Sequence, residues 1–325
     1  MQQYRLKRTY ATVAFVAGQP ATVDLPRAYD YESVHMRLYG TLNITTAATS
    51  VRAEAPVQLI PRVELIADGR NTLVSAPFWF TTLAKYDRPS MLEQGARVTT
   101  PPTGTAIAAY AIEANGVIDM ATMDGERPKD SNFRTDGLQL FQLRFTFGQA
   151  TDILVGGAAN MTNTFVEVST VELVELPDTA TGNRTTPSLL KKISFQEVSI
   201  PTNNSNQEVR LPAGNLIKSL VVRTEGATTA GEPSTTILNR MIAFTGSDVR
   251  FNLTSGAIRG QNNNDYGQLA AGYYVADLTR NGSQSARLTE LWDVTRQAEP
   301  KISLDVQGGA NNKAQVVITE YLTSA

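Results

Sequence analysis

A chain of 325 residues with a formal net charge of -2 and only 18% charged residues exerts no bulk attraction on nucleic acid or on an anionic membrane surface. It contains no cysteine, which excludes disulfides, thiol catalysis and cysteine-ligated zinc. No run approaches 18 uninterrupted apolar residues and no charged start precedes an apolar core, so neither a membrane-spanning helix nor a secretory signal is expected; 42% hydrophobic residues over this length suit about two packed domains.

The chain opens on MQQYRLKRTY, where Arg5, Lys7 and Arg8 form a local basic run suited to a terminal arm. Short runs of Val, Ile, Leu, Phe, Tyr and Thr bounded by Gly, Pro, Asn or Asp follow, the signature of strands. In the first half they fall at 12–15, 21–25, 33–38, 57–66, 138–147 and 164–176. The alternation in 138–147 (LQLFQLRFTF) sets one face into a core and leaves the other polar, as in an antiparallel sheet. Asp68-Gly69 lies between two apolar runs and reads as a hairpin turn. Helical patterns are confined to 77–86 (PFWFTTLAKY), with Pro77 at a helix start, and 105–114 (TAIAAYAIEA). Phe78, Trp79 and Phe80 form the densest aromatic cluster and are candidates for covering a sandwich edge or a seam between subunits.

The turn-rich, apolar-poor stretch 177–190 reads as a linker between a first domain (1–176) and a second (191–325). Second-half strands fall at 193–200, 208–211, 219–224, 238–244, 302–306 and 314–321. Trp292 reads as core.

The second half restarts the first. Residues 23–40 (VDLPRAYDYESVHMRLYG) align without a gap on 209–226 (VRLPAGNLIKSLVVRTEG) at a constant offset of 186. Val23/Val209, Leu25/Leu211, Pro26/Pro212, Ser33/Ser219, Arg37/Arg223 and Gly40/Gly226 are identical, where chance gives about one match. Both halves also close on a strand, a Gly-Gly-Ala turn (156–158 and 308–310) and a last strand, with the glycine pairs expected to supply the positive φ of tight hairpins. The offset falls from 178 between Arg62 and Arg240 to 152 between Gly156 and Gly308, which places 26 extra residues in the first copy, within a loop insertion at about 89–137.

Residues that could carry chemistry are sparse. His35 is the only histidine and Val221 stands at its repeat-equivalent position, so neither a cupin-like metal site nor a catalytic triad is expected. The carboxylate pairs Asp124/Glu126, Glu172/Glu175 and Glu64/Asp68 sit beside Lys or Arg and read as ion-paired surface rather than a glycosidase dyad. No phosphate-cradling glycine loop is present, and no cofactor is expected. Asn262 to Tyr266 and the acidic loop at 119–130 offer oxygen ligands, so a structural calcium ion is the one metal with a candidate place.

Strand number and domain size give an all-β chain of two tandem eight-stranded jelly-roll β-sandwiches with a few short helices. In this layout the chain resembles the double jelly-roll major capsid proteins of the PRD1 and PM2 type, found in bacteriophages and other icosahedral viruses. The resemblance implies a non-enzymatic capsid subunit of the virion, assembled in the host cytoplasm as a homotrimer of six sandwiches with pseudo-hexagonal outline. Its implied partners are itself, neighbouring capsomers and other capsid proteins such as penton or minor membrane proteins, with an internal membrane reached through the N-terminal arm and no specific nucleic-acid recognition. A tandem β-sandwich that binds carbohydrate or a receptor, as in a spike or lectin-like module, is the alternative.

Overall fold

A computed structural model describes residues 3–83, 99–120, 132–135, 137–175, 189–226, 229–266, 269–278, 291–296 and 299–323. The chain divides between Ser188 and Leu189 into two compact units. The second unit begins on a strand at Leu189, inside the stretch read as linker; residues 177–188 lie outside the described ones.

The first unit contains β1 (Gln3–Ala14), β2 (Pro20–Asp24), β3 (Asp30–Thr46), β4 (Ser50–Val51), β5 (Arg62–Ala67), β6 (Asn71–Ala76), β7 (Thr99–Thr100), β8 (Ala109–Asp119), β9 (Phe141–Thr146), β10 (Leu154–Val155) and β11 (Ala158–Glu175). One sheet runs β1-β11-β3-β8 with β7 beyond it, and the facing one runs β2-β9-β5-β6. The eight long strands therefore alternate between sheets at every step but one, the β5–β6 hairpin, which is the jelly-roll path. Asp68 (φ 52°) and Gly69 (φ 66°) turn that hairpin in the left-handed region, and the Asp68 carboxylate accepts the N–H groups of Gln139 and Leu140 at 2.6 and 3.2 Å.

The second unit repeats the path with β12 (Leu189–Ser199), β13 (Asn204–Arg210), β14 (Leu216–Gly226), β15 (Thr229–Pro233), β16 (Leu238–Thr245), β17 (Asp248–Thr254), β18 (Tyr273–Asp277), β19 (Trp292–Asp293), β20 (Lys301–Val306) and β21 (Lys313–Thr323). Here β12-β21-β14-β18 face β13-β20-β16-β17. The aligned sequences fall on β2–β3 and β13–β14, and their apolar positions fill matching cores: Tyr31, Val34 and Met36 in one unit, Ile217, Leu220 and Val222 in the other. Each such side chain withdrawn from water contributes about 1.5–3 kcal/mol, which holds two sheets together without any cross-link.

Several local expectations are corrected. Residues 105–114 are not helical: β8 occupies 109–119, because Ile112, Ala114 and Ile118 alternate with polar neighbours and bury against the core. The insertion is thus partly sheet, with 99–120 carrying β7 and β8; 89–98 and 121–131 lie outside the described residues. The helix begun at Pro77 is a four-residue turn, α1 (Phe78–Thr81), and its stretch from 84 on is not described. Pro61 interrupts 57–66, leaving a 3-10 turn at Ala55–Leu59 before β5. A second helix, α2 (Ser255–Tyr266), carries the asparagine run 262–264 that the sequence offers as a source of calcium ligands. Gly156 and Gly157 have the expected positive φ, but Gly308 serves close approach instead, since a Cβ there would sit 2.0 Å from the Thr202 carbonyl carbon.

Candidate interaction surface

The aromatic cluster divides between inside and outside. Proline fixes the start of α1, and Thr81 and Thr82 donate their hydroxyls to the Phe78 and Trp79 carbonyls, both at 2.7 Å, closing the turn. This aims Phe78 and Trp79 into the first unit, where both are buried; the Phe78 ring rests over Gly116 of β8, where a Cβ would lie 2.8 Å from it. Side chains covered by their own chain have nothing to offer a seam, so the expectation of an interface role stays open for Phe80 alone, which is half-buried and edge-on to Trp79.

The basic run is a strand, not an arm. Gln3–Ala14 pairs with β11 along its length, with a bulge at Tyr10. Arg5 donates to Glu32 at 2.6 Å, and Arg8 forks onto Glu172, its closest contact 2.9 Å. Glu172 is fully buried and also accepts the Thr170 hydroxyl at 2.5 Å. Its charge, after burial itself, raises the pKa of the neighbouring Tyr31 phenol. Arg5 and Arg8 are therefore committed within the unit, whereas Lys7, on the same side of the strand as Arg5 and opposite to Arg8, is exposed on the outward side.

That outward side carries polar rungs. Thr9, Ser169, His35 and Val117 lie in register across β1, β11, β3 and β8, and Thr12, Glu167, Arg37 and Asn115 form a neighbouring rung on the same face. Between them lies a groove of about 490 Å³ that Lys7 also lines. Arg37, about half exposed, donates to Glu113 at 2.8 and 3.2 Å and stacks over Tyr39 with its guanidinium carbon 5.0 Å from the ring centre. The hydrogen bond from Arg37 holds the Glu113 carboxyl below the usual carboxylate range. His35 is exposed and lies 3.0 Å from the Ser33 hydroxyl.

The equivalent face of the second unit has another character. Phe195, Val317, Val221 and Val275 replace the first rung, and Glu197, Gln315, Arg223 and Tyr273 the second. Arg223, the repeat partner of Arg37, is only 2% exposed. It contacts Glu225, donates to Gln315 at 3.2 Å, to the Gly231 carbonyl at 3.0 Å and to the Tyr273 hydroxyl at 3.1 Å. Val221, Arg223, Tyr273 and Val275 are thus covered in the second unit where His35 and Arg37 are exposed in the first, though both pairs descend from the same repeat.

Other sequence candidates serve the fold. Glu64 meets Arg62 at 3.2 Å and Arg144 at 4.0 Å, and Asp68 caps the loop before β9. Asp124 and Glu126 lie outside the described residues, as does the Glu175 side chain. Asn262 is buried on α2, accepting from the Val275 N–H at 2.9 Å and donating to its carbonyl at 2.7 Å, so it replaces a strand neighbour rather than presenting a ligand. Among the described residues no group of three or more His, Asp or Glu could hold a metal, and no helix is long and apolar enough to cross a membrane. Reading 105–114 as a helix hid Glu113 and Asn115; the period-two alternation with Ile112, Ala114 and Gly116 was the signal that could have found them.

No protein-family model and no curated protein sequence matches the chain. Solved structures do. The crystal structure of the STIV MCP aligns over 99% of this chain and 97% of its own, with a TM-score of 0.75 at 15% identity. The major capsid protein of bacteriophage PM2 aligns over 100% and 98%, with a TM-score of 0.61 at 12% identity. PBCV-1 VP54, fitted into the virophage Sputnik, aligns over 98% and 94%, with a TM-score of 0.64 at 14% identity. The chain thus has the double jelly-roll fold of these capsid proteins along its whole length.

Proposed function

We propose that this chain is a viral major capsid subunit that assembles as pseudo-hexameric trimers into an icosahedral shell. The observation that carries the reading is the complete eight-strand path laid down twice, aligned end to end with chains whose names state major capsid protein. Three chains filling a six-cornered site need two similar wedges each, and wedges that differ on their outward faces can make different contacts. The charged side chains are consistent with this role: Glu64, Asp68, Glu172 and Arg223 are spent on ion pairs and turn contacts inside the units, and the reading assigns the chain no catalysis.

In this reading the protein resides in the virion shell, assembled in the host cytoplasm, and its partners are further copies of itself and the proteins that complete the shell. Light scattering of the purified chain is expected to give a trimer of about 106 kDa, three times the 35.3 kDa chain, with hexagonal outlines in negative stain. A stable monomer that binds glycans on an array overturns the proposal.

A further inference from the structure

We propose that the second unit closes an amide cross-link between the Lys192 amine and the side-chain carboxamide of Asn215, with the buried Glu320 carrying the proton. The inference goes beyond the capsid reading and does not depend on it. Its first support is the geometry around one carboxylate. Glu320 on β21 is fully buried, and its two oxygens face two different side chains. Lys192 Nζ on β12 lies 3.4 Å from Oε1, and Asn215 Nδ2, just ahead of β14, donates to Oε2 at 2.5 Å. Lys192 is the direct ladder partner of Glu320 on one side, and Ile217 is its partner on the other, so a nucleophile and an electrophile flank the strand that bears the base. Oε1 accepts no hydrogen bond among the described residues, and the Lys192 side chain is 35% exposed, which leaves the amine room to approach.

The repeat supplies the second support. The first unit buries Glu172 at the same address, but there the cation is Arg8, and the position equivalent to Asn215 is Tyr29. A guanidinium does not give up its proton and a phenol offers no acyl carbon, so the first unit has the carboxylate without the reactants. The third support is a spare donor. The Trp292 indole N–H is buried with no hydrogen-bond partner among the described residues, on β19, which pairs with Leu216 and Ile217 immediately after Asn215. Such a donor suits the oxygen that takes up charge when the carboxamide is attacked.

The step balances without a co-reactant. Glu320 takes a proton from the Lys192 ammonium through Oε1, and the freed lone pair on Nζ attacks Asn215 Cγ. The Cγ–Nδ2 bond then breaks as Glu320 hands the proton to Nδ2 through Oε2. The new amide nitrogen sheds its second proton, which leaves with the ammonia as ammonium; nothing is oxidised or reduced, and the carboxylate is regenerated. The bond ties the first strand of the unit to the chain entering β14, a covalent staple in a protein that has no cysteine to make one.

Mass spectrometry of the purified full-length chain is expected to read about 17 Da below the sequence mass, one ammonia. Its tryptic digest should hold the peptide that begins at Lys192 joined to the peptide that carries Asn215. Lys192→Arg keeps a charge facing Glu320 but cannot form the bond, so it is expected at full mass and with a lower thermal midpoint. Glu320→Gln removes the proton carrier and is also expected unlinked; Glu320→Asp, which draws the carboxylate back from both nitrogens, should show a reduced linked fraction and serves if the glutamine variant does not fold. A wild-type chain at full sequence mass overturns the proposal, as does a loss of ammonia whose peptides do not join Lys192 to Asn215. Linking as complete in the Glu320 variants as in the wild type overturns it too. The light-scattering mass decides the capsid reading separately.

Discussion

At the scale of residues, the two units solve one problem with different side chains. Glu172 lies opposite Tyr31 in the β11–β3 ladder, and Glu320 lies opposite Ile217 in β21–β14, where Tyr31 and Ile217 are repeat equivalents. Both carboxylates are fully buried and both are met by a cation from the first strand of their unit: Arg8 at 2.9 Å in one, Lys192 at 3.4 Å in the other, with Asn215 adding a 2.5 Å hydrogen bond to Glu320. Removing one partner strands a buried charge, which costs more than the pair itself contributes. Arg8→Met is therefore expected to lower stability by about 2–3 kcal/mol in urea unfolding, and adding Glu172→Leu to restore most of the loss. A double variant no more stable than the single one would show that the pair is not the cause.

Lys191 supplies a pH dependence with a definite sign. Burial first, and the Lys218 charge second, hold its folded-state pKa well below the ordinary 10.5. Between the depressed value and 10.5 the unfolded chain binds the extra proton, so stability rises with pH across that window and falls as acid forces a charge onto the buried amine. The slope cannot exceed about 1.4 kcal/mol per pH unit for a single group. Urea midpoints taken from neutral to alkaline pH should rise in the wild type and flatten in Lys191→Met, which should also be the more stable protein at pH 7.

At the scale of elements, period-two patterns mark most of the strands, and the repeat by itself places β2–β3 and β13–β14 at equivalent positions. What the sequence hid was decided by tertiary contact. The α2 segment, SGAIRGQNNNDY, is poor in helix formers, and it is helical because Ile258 enters the core and Asn262 hydrogen-bonds both backbone groups of Val275. The polar face of β1, β11, β3 and β8 was equally illegible, since Arg37 sits in the repeat without any sign that its twin Arg223 is sealed. Glycines separate propensity from packing: at Gly260 in α2 a Cβ meets open space, while Gly226 has φ 120° and a Cβ would lie 2.4 Å from the Asn311 carbonyl oxygen. Gly260→Ala should stabilise by about 0.5–1 kcal/mol and Gly226→Ala destabilise by about 1–3 kcal/mol, read as opposite shifts in thermal midpoint. Equal shifts would refute the assignment of the two glycines to different roles.

At the scale of the whole molecule, duplication has preserved the scaffold and divided the labour of its faces. The test is to exchange the residues at one repeat address. Val221 is 2% exposed, on a rung with Val317 and Val275, whereas His35 is exposed on a rung with Ser169 and Val117. Val221→His places a polar ring where no water reaches and should cost about 2–3 kcal/mol of stability. His35→Val adds an apolar group to open surface and should leave stability within about 0.5 kcal/mol. If the first-unit face is where another copy docks, His35→Val will alter the association constant while leaving the unfolding midpoint in place, and Val221→His will do the reverse, lowering the midpoint before it affects assembly. Unfolding and sedimentation measured on both variants distinguish a duplication of architecture from a duplication of contacts: equal responses at the two addresses would mean that the faces are equivalent after all.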